Sequence, residues 1–448
     1  MDDIELRRKA YAEMIEWKHG LADKYALLIE GARRVGKTHL IERFVQSEYE
    51  SHIFIDFSHK DKLTRESKKA FTEATDIVGT LERLQTIHRT SLVPGRSCIV
   101  FDEVQRFPIA REAIKRLVAY GKYHYIESGS LVGIKENVKD IVIPSEEHKM
   151  KLYPLDLEEF LWAMGAERVA DGIRECFNGR KPMGWLHDEA LTLARQYMVV
   201  GGMPQSVIAY KEGNDHRLEE CEKAKREILS LYDADIGKYA KGYAAKVRAI
   251  FRHIPAALST REKKFHLTDF GPNARMRRYE NAFLWLGDAM VAHLAYNSVN
   301  PDVGLEMNME SSLFKCYSID TGLLLTQAMA GASEVDGRLL RGVLYDKLGV
   351  NEGMFFENLV AQTLVSRGYE LFFHSLSKPK VEVDFLFRRG IKICPVEVKS
   401  SGYRVHASLD WLIDRYPKRL GTKYVICTGD YEEKDGITYL PFYMTHCL

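Results

Sequence analysis

The stretch GARRVGKT, residues 31–38, decides the fold of the N-terminal part of the chain. It follows the apolar run YALLIE, which predicts a strand, and precedes HLIERFVQS, whose apolar spacing predicts a helix. The glycines allow such a loop to wrap closely around phosphate groups, and the backbone N–H groups at a helix start attract anions. The pattern G-x-x-x-x-G-K-T in this context therefore predicts a phosphate-binding loop.

Individual residues of this loop have predicted roles. Lys37 is expected to contact the β- and γ-phosphates of a nucleotide, and Thr38 is expected to offer its hydroxyl to Mg²⁺. Arg33 and Arg34 are also placed to reach phosphates, although exposed arginines are common in surface loops. The predicted contact residues of the loop and of the helix start are Gly31, Ala32, Arg33, Arg34, Val35, Gly36, Lys37, Thr38 and His39.

A second motif, SCIVFDEVQ, supplies the acidic groups that a magnesium–nucleotide site requires. Its residues 98–101 predict an apolar strand, which ends in Asp102 and Glu103. Asp102 is expected to hold Mg²⁺ through water. Glu103 is expected to orient or deprotonate an attacking water. An Asp-Glu pair at this distance after a phosphate-binding loop favours hydrolysis over nucleotide binding alone.

Strand-like and helical stretches alternate along the N-terminal third. The predicted strands cover residues 25–30, 52–57, 98–101 and 123–128. This alternation predicts an α/β fold with a parallel sheet and helices on both of its faces. The whole chain has 448 residues, which is too many for one ordinary core, so two or three domains are expected.

The composition limits the class of protein and its compartment. Hydrophobic and charged contents of 46% and 28% are those of a soluble globular protein, and a net charge of +1 requires any basic surface to be local. Seven cysteines without a C-x-x-C pair argue against a disulfide framework or a zinc site. Because the sequence contains neither an apolar leader nor a run of 18 apolar residues, a cytoplasmic protein without membrane contact is expected.

The motifs GARRVGKT, FDEVQ and ESGS together resemble a large prokaryotic family of AAA-type P-loop ATPases, related to the archaeal-type and signal-transduction ATPases. Members usually begin the loop with Gly-Pro-Arg-Arg, whereas Ala32 stands at the proline position here. The resemblance implies a polar sensor beside the γ-phosphate, for which Ser128 is the candidate, although strand ends are often Ser-Gly turns. Three later phrases also match: LYPLDLEEF from Leu152, VVGGMPQSV from Val199 and FKCYSIDTGLL from Phe314.

The same resemblance implies a winged-helix segment and a C-terminal domain of unknown function with a restriction-endonuclease-like α/β fold. Helices over residues 158–163 and 188–197, with a tight break at residues 201–204, are interpreted as a helical lid. No residue is a clear arginine finger, and the oligomeric state stays open. The predicted domains are an ATPase core (1–150), a helical lid (151–235), a winged-helix-like basic segment (236–305) and a nuclease-like domain (306–448).

The basic segment departs from the neutral charge of the chain. Residues 238–281 contain 11 lysines and arginines against three acidic residues. Predicted helices over 244–254 and 274–286, followed by a strand over 291–296, suggest a helix–turn–helix with a wing. That geometry docks on DNA, with Arg275, Arg277 and Arg278 at the start of the second helix. The alternative is a winged helix that only packs and leaves a solvated basic face.

The C-terminal stretch EVDFLFRRGIKICPVEVKS, residues 382–400, predicts a hairpin that carries charged groups. Residues i and i+2 of a strand share a face, so Glu382 lies beside Asp384, and Glu397 lies beside Lys399. A turn near Arg389 brings the two faces together. Carboxylates so close resist joint ionisation unless a cation is present, which points to Mg²⁺ or Mn²⁺.

The order of a helix over 351–367, a strand, this hairpin, a helix over 406–416 and a strand over 423–427 resembles the PD-(D/E)XK nuclease superfamily. That resemblance implies Asp384 and Glu397 as metal ligands, Glu357 as the helix carboxylate that completes the metal site, and Lys399 as the catalytic lysine. Val383 replaces the proline of the superfamily name. The alternatives are a chance salt-bridged hairpin and a nuclease fold that binds without cleaving.

Together these patterns predict a DNA-associated protein that binds and hydrolyses ATP and carries a metal-dependent nuclease-like domain. Lys37, Glu103 and Lys399 are the predicted catalytic residues. The alternative is an ATP-dependent switch or scaffold for a protein partner, in which the nuclease fold is inactive.

Overall fold

The computed structural model describes residues 6–130, 144–271, 275–302, 304–329, 342 and 352–448. The chain forms two compact units. We call Arg8–Tyr153 with Asp288–Met290 the N-terminal unit, and the remaining described residues the large unit. None of the described helices combines the length and the apolar character needed to cross a membrane.

The N-terminal unit contains a five-stranded parallel sheet in the order β2-β3-β4-β1-β5, as the alternating pattern predicts. The first four strands coincide with the predicted ones to within a few residues, but β5 was not predicted. Its sequence, EHKMKL, exposes most of its charged side chains at the edge of the sheet, so it lacks a buried apolar run. The strands are β1 (Ala26–Gly31), β2 (Ser51–Asp56), β3 (Ser97–Asp102), β4 (His124–Gly129) and β5 (Glu147–Leu152).

Helices of this unit bury apolar side chains against the sheet, and two of them begin with an aspartate cap. Asp61 accepts a hydrogen bond from the Thr64 N–H, and Asp76 accepts one from the Gly79 N–H, which satisfies backbone donors at each helix start. Leu84, Ile114 and other helix residues form one core with the strands β2 to β4. The helices are α1 (Ala10–Gly20), α2 (Lys37–Glu48), α3 (Lys62–Glu73), α4 (Ile77–His88) and α5 (Pro108–Tyr120).

The large unit begins with helices. The predicted break after residue 200 is present, because one helix ends at Val200 and the next begins at Pro204. The helices are α6 (Leu157–Ala163), α7 (Glu167–Asn178), α8 (His187–Val200), α9 (Pro204–Glu212), α10 (Arg217–Tyr239), α11 (Ala244–Ser259), α12 (Met276–Asp288), α13 (Thr321–Ala328), α14 (Glu352–Ser366) and α15 (Ala407–Arg415).

An eight-stranded mixed sheet forms the rest of the large unit, in the order β12-β13-β11-β10-β9-β8-β6-β7. The predicted C-terminal order of helix, strand, hairpin, helix and strand is present as α14, β8, β9, β10, α15 and β11. The strands are β6 (Ala292–Ser298), β7 (Met309–Ser318), β8 (Phe372–Leu376), β9 (Val381–Arg389), β10 (Lys392–Val398), β11 (Lys423–Cys427), β12 (Glu432–Lys434) and β13 (Ile437–Pro441).

The strand predicted as a wing is β6. It pairs antiparallel with β7 and parallel with β8, so it lies inside the large sheet. The proposed domain boundary at residue 305 therefore falls between two paired strands. The winged-helix identity, the lid and the four domain limits stay predictions, and Ala274 at the start of the second predicted helix lies outside the described residues.

The three later phrases that carry the family resemblance meet at one buried junction of the large unit. The Asp320 carboxylate accepts hydrogen bonds from the N–H groups of Gly202 (2.6 Å) and Leu323 (2.9 Å). The Leu155 N–H donates to the Gly202 carbonyl (2.7 Å). Gly201 has a φ of 79°, and a Cβ atom there would lie 2.2 Å from Asp320 Oδ1. The phrases thus share a structural reason for their composition.

Candidate nucleotide site and C-terminal carboxylate cluster

The loop GARRVGKT joins β1 to α2 through left-handed backbone conformations at Arg34 (φ 71°) and Gly36 (φ 94°). Gly36 is the residue that precedes the helix, where glycine has no steric penalty. Gly31 has a different reason, because a Cβ atom there would lie 2.5 Å from the Leu152 carbonyl oxygen. Ala32 and Val35 are completely buried, so an alanine fills the position that is proline in the resembled family.

The Lys37 ammonium lies inside the curve of the loop. It donates hydrogen bonds to the carbonyl oxygens of Gly31 (2.8 Å) and Ala32 (3.0 Å), and the residue is only 7% exposed. Its positive charge is therefore held beside the backbone that is predicted to surround the phosphates. Arg33, Arg34 and the helix residue His39 are exposed.

Three predicted site residues from three different elements are in contact. Thr38 at the start of α2 donates a hydrogen bond from Oγ1 to Asp102 Oδ2 (2.8 Å). Ser128 on β4 donates from Oγ to the other oxygen of Asp102, at the end of β3. Burial raises the pKa of the Asp102 carboxyl, and these two hydrogen bonds oppose the rise. Hydroxyl and carboxylate oxygens are the ligands that Mg²⁺ prefers, so the residues fit a magnesium–nucleotide complex.

Glu103 directly follows this aspartate in a strained conformation. Its φ of 53° is in the left-handed region, which is unfavourable for a residue with a long side chain. Gln105 Nε2 donates a hydrogen bond to Glu103 Oε2 (2.8 Å), and Arg106 Nε lies 3.7 Å from the same oxygen. The carboxylate is half-buried, and its contacts with Gln105 and Arg106 restrict its direction.

Two features of this unit were missed in the sequence. Arg8 donates from Nη1 to the Val35 carbonyl (3.0 Å) and from Nη2 to the Tyr153 carbonyl (2.6 Å), so it supports the loop from outside the motif. Nothing in the charged N-terminal run distinguishes Arg8 from its neighbours. The second feature is a buried ionic cluster that includes Glu127 of β4. Successive strand residues point to opposite faces, so the cluster lies on the opposite side of β4 from the Ser128 side chain.

In that cluster, the Arg111 guanidinium binds both oxygens of Glu147, at 2.7 and 2.8 Å. Glu127 is completely buried nearby, and neither of its carboxyl oxygens accepts a hydrogen bond from the part of the chain that the structure describes. Burial raises the pKa of Glu127 well above its usual range, the charge of Glu147 adds to the rise, and Arg111 opposes it. The carboxyl of Glu127 is therefore stable in its protonated form.

The C-terminal hairpin forms with its turn at residues 390–391, just after Arg389. Val396 of β10 pairs with Phe385 of β9, which sets Glu397 opposite Asp384. The Val398 N–H donates to Asp384 Oδ2 (2.8 Å). The two strand faces that carry the carboxylates therefore adjoin, as the alternation of the sequence predicts.

Lysines neutralise these carboxylates. Lys315 of β7 is completely buried, and its Nζ lies 3.0 Å from Glu357 Oε1, 2.9 Å from Glu382 Oε1 and 3.7 Å from Asp384 Oδ1. Lys263 contacts the second oxygen of Glu357. We call this group the carboxylate–lysine cluster, with the members Lys263, Lys264, Lys315, Glu357, Glu382, Asp384, Glu397 and Lys399.

Burial and the lysines have opposite effects on the pKa values of the cluster carboxyls. Burial alone would raise the pKa of Glu357, but the charges of Lys315 and Lys263 outweigh it and lower the pKa to about 2. Burial raises the pKa of Glu397 to about 8, although Lys399 Nζ lies 2.8 Å from its Oε1. Among the residues that the structure describes, no group of three or more histidine, cysteine, aspartate or glutamate side chains could hold a metal ion. Metal binding by Glu357, Asp384 and Glu397, and catalysis by Lys399, stay predictions.

The basic segment divides into paired and exposed residues. Arg248 and Arg252 both contact Asp233, at 2.9 and 3.2 Å, and Lys263 and Lys264 belong to the carboxylate–lysine cluster. At least four of the 11 basic residues therefore contact carboxylates within the described residues. The three arginines singled out by the sequence are exposed, immediately before and in the first turn of α12: Arg275, Arg277 and Arg278.

Three family models match successive parts of the chain. Residues 23–161 match an AAA domain. Residues 191–335 match a domain of unknown function, DUF8612, and residues 352–444 match another, DUF4143. No curated protein matches the sequence.

Several solved structures show distant similarity. The ORC1 protein of Aeropyrum pernix, solved in complex with DNA, is 13% identical with a TM-score of 0.31, over 78% of this chain and 96% of that chain. Drosophila ORC bound to DNA is 13% identical with a TM-score of 0.30, over 72% and 95%. Cdc6p of Pyrobaculum aerophilum is 11% identical with a TM-score of 0.27, over 78% and 96%.

These TM-scores are too low to carry an argument, so the assignment depends on the family match and on the site itself. The parallel sheet, the loop between β1 and α2, and the contact of Thr38 with Asp102 agree with the AAA-domain match. The N-terminal unit is therefore a P-loop domain of the AAA type.

Proposed function

We propose that the N-terminal unit binds ATP with Mg²⁺ and hydrolyses it. The observation that carries this proposal is the contact of Thr38 and Ser128 with the buried Asp102 carboxylate, beside a loop that encloses the Lys37 ammonium. Mg²⁺, when bound, would supply positive charge to the phosphates as they are transferred. Thr38 and Asp102 would hold it.

The other side chains of the site have separate roles in ATP binding and hydrolysis. Lys37 adds a localised positive charge to the phosphates, and the loop N–H groups bind their oxygens. Glu103 accepts a proton from the attacking water or orients it, and Gln105 fixes the direction of the Glu103 carboxylate. Ser128 keeps the Asp102 carboxylate oriented, and its hydroxyl is the candidate sensor of the γ-phosphate.

The proposal is tested with Lys37→Ala and Glu103→Gln. Lys37→Ala should lose nucleotide affinity because a charge that binds the phosphates is removed. Glu103→Gln should bind ATP with nearly normal affinity, because the side chain keeps its shape. It should hydrolyse ATP more slowly by a factor of at least roughly 10², because the side chain is no longer a base. Arg83→Gln, an exposed change on α4, is the control. Hydrolysis by Glu103→Gln at the normal rate would contradict the role of Glu103.

We further propose that the start of α12 binds DNA phosphates. The supporting observation is that Arg275, Arg277 and Arg278 are exposed and follow helix α11 in a basic segment, and that none of them contacts a carboxylate of the residues that the structure describes. The alternative function, an ATP-dependent switch or scaffold for a protein partner, requires no such contact.

Charge reversal separates the two functions. Changing all three arginines to glutamate should weaken DNA binding and reduce the slope of log K against log salt by about 0.9 for each lost phosphate contact. A matched control reverses three exposed basic residues of the N-terminal unit: Arg65, Lys69 and Arg83. If both triple variants lower affinity equally, the effect is only net charge, and the scaffold function is favoured.

A further inference from the structure

The resemblance of the C-terminal domain to metal-dependent nucleases can be tested against the cluster itself. Its carboxylates are the correct donor type for Mg²⁺ or Mn²⁺. A divalent cation held by Glu357 and Asp384 would have to lie between their oxygens. In the structure, the Lys315 ammonium lies there, within 3.0 Å of a Glu357 oxygen and 3.7 Å of an Asp384 oxygen.

Burial and several contacts fix Lys315 in this position. It projects from β7 with no exposed surface, and its Nζ also lies 2.9 Å from Glu382 Oε1. Tyr317, two residues along the same strand and therefore on the same face, donates its hydroxyl to Glu357 Oε1 (2.5 Å). The ring of Phe373 packs beside the ammonium, 5.2 Å from Nζ to its centroid. The lysine cannot reach solvent without disrupting these contacts.

The other lysines complete the charge balance of the cluster. Lys263 contacts Glu357, Lys264 lies 3.0 Å from Glu382 Oε2, and Lys399 lies 2.8 Å from Glu397 Oε1. Four carboxyl groups thus face four ammonium groups among the cluster residues. A divalent cation would have to enter beside a buried ammonium and its charge would be repelled, while displacing Lys315 would leave a buried charge unpaired.

We infer that Lys315 takes the place of the catalytic metal, so that the C-terminal domain is a metal-free module that does not cleave phosphodiesters. The cluster then has a structural role: it connects α14, β7 and β9 through ion pairs within one buried site. This inference does not depend on the proposed ATPase, because all cluster residues belong to the large unit.

Mn²⁺ titration calorimetry without nucleotide tests the inference. Any Mn²⁺ binding by the unaltered protein should be the same in Asp384→Asn, because the cluster contributes none. Lys315→Met should gain a Mn²⁺ site at millimolar concentration or tighter, and adding Asp384→Asn should remove it. Lys225→Met removes another buried lysine, which contacts Glu222 (3.0 Å), and should gain no site.

Measurements on the unaltered protein test the inference even if Lys315→Met does not fold. Mn²⁺ binding that is lost in Asp384→Asn would overturn the inference, and so would Mn²⁺-dependent DNA cleavage that is lost in Lys399→Ala. Thermal unfolding gives a second measurement: Mn²⁺ should raise the melting temperature of Lys315→Met by more than that of the unaltered protein, and should affect Lys225→Met no more than the unaltered protein. Equal shifts in both variants would also contradict a site specific to the cluster.

Discussion

The hydroxyl of Thr38 donates a hydrogen bond to Asp102 over 2.8 Å, which connects the phosphate-binding loop to the strand β3, 64 residues further along the chain. The contact puts the two residues expected to hold Mg²⁺ in one place. Ser128 binds the second oxygen of the same carboxylate. The geometry of all three residues is therefore interdependent.

We expect Thr38→Ala and Asp102→Asn each to lower ATP turnover by roughly 10²-fold, because each removes an oxygen that would hold or orient Mg²⁺. Because the residues act together, the double variant should be less impaired than the product of the two single effects. Steady-state ATPase assays over a range of Mg²⁺ concentrations measure this. Thr72→Ala, an exposed change on α3, is the control. Multiplicative effects would show that the two residues act independently.

Gln105 is expected to position Glu103. Gln105→Ala removes the Nε2–H donor that lies 2.8 Å from Glu103 Oε2, so the carboxylate loses its fixed direction. The turnover number should fall by about tenfold while KM for ATP changes little, because the lost interaction serves only the chemical step. A rise in KM with unchanged turnover would instead indicate a role in ATP binding. The melting temperature of the variant serves as the control for folding.

Gly201→Ala should destabilise the large unit by roughly 2–4 kcal/mol, because it combines an unfavourable positive φ with a collision against the buried Asp320 carboxylate. Gly287→Ala is the matched control, since nothing lies within 4 Å of a Cβ atom there. Chemical denaturation of both variants measures the free energies of unfolding. Equal stability of the two variants would contradict the role of the junction at Asp320.

Local sequence patterns predicted those strands whose own residues show which side chains are buried. The strands β1, β3 and β4 have apolar runs, and the hairpin β9–β10 alternates as a half-buried strand does. The strand β5 shows mostly charged residues, because an edge strand needs only one buried face. The proximity of Asp102 to Thr38 could be predicted, because the sequence contains both a P-loop and an aspartate at the end of a following strand.

The counter-charge of the C-terminal cluster was not predictable in this way. Lys315 is 42 residues away from Glu357 in sequence, and the phrase FKCYS gives no sign that its lysine is buried. Lys263 is one of the 11 basic residues of the segment over 238–281, and it contacts Glu357. The pairing of β7 within the large sheet brings Lys315 to the carboxylates. The Phe265 N–H donates a hydrogen bond to the Phe314 carbonyl of β7 (3.0 Å), which holds the segment that carries Lys263 beside that strand.

The last prediction concerns Glu127 in the N-terminal unit. Its pKa in the folded protein is raised above the usual value of 4.5, mainly by burial. The folded state therefore keeps a proton that the unfolded state releases as the pH rises above about 4.5. By linkage, this residue makes the free energy of unfolding fall with rising pH in the interval above that value. Glu127→Gln keeps the shape of the protonated group and should remove that contribution.

The stability of Glu127→Gln relative to the unaltered protein should consequently increase as the pH rises above about 5, as measured by chemical denaturation at several pH values. Glu73→Gln changes an exposed carboxylate of the same unit and should show no such trend. The ion pair of Arg111 with Glu147 remains present in both variants. A stability difference for Glu127→Gln that is constant over this pH range would mean that Glu127 is ionised in the folded protein, with Arg111 compensating its charge.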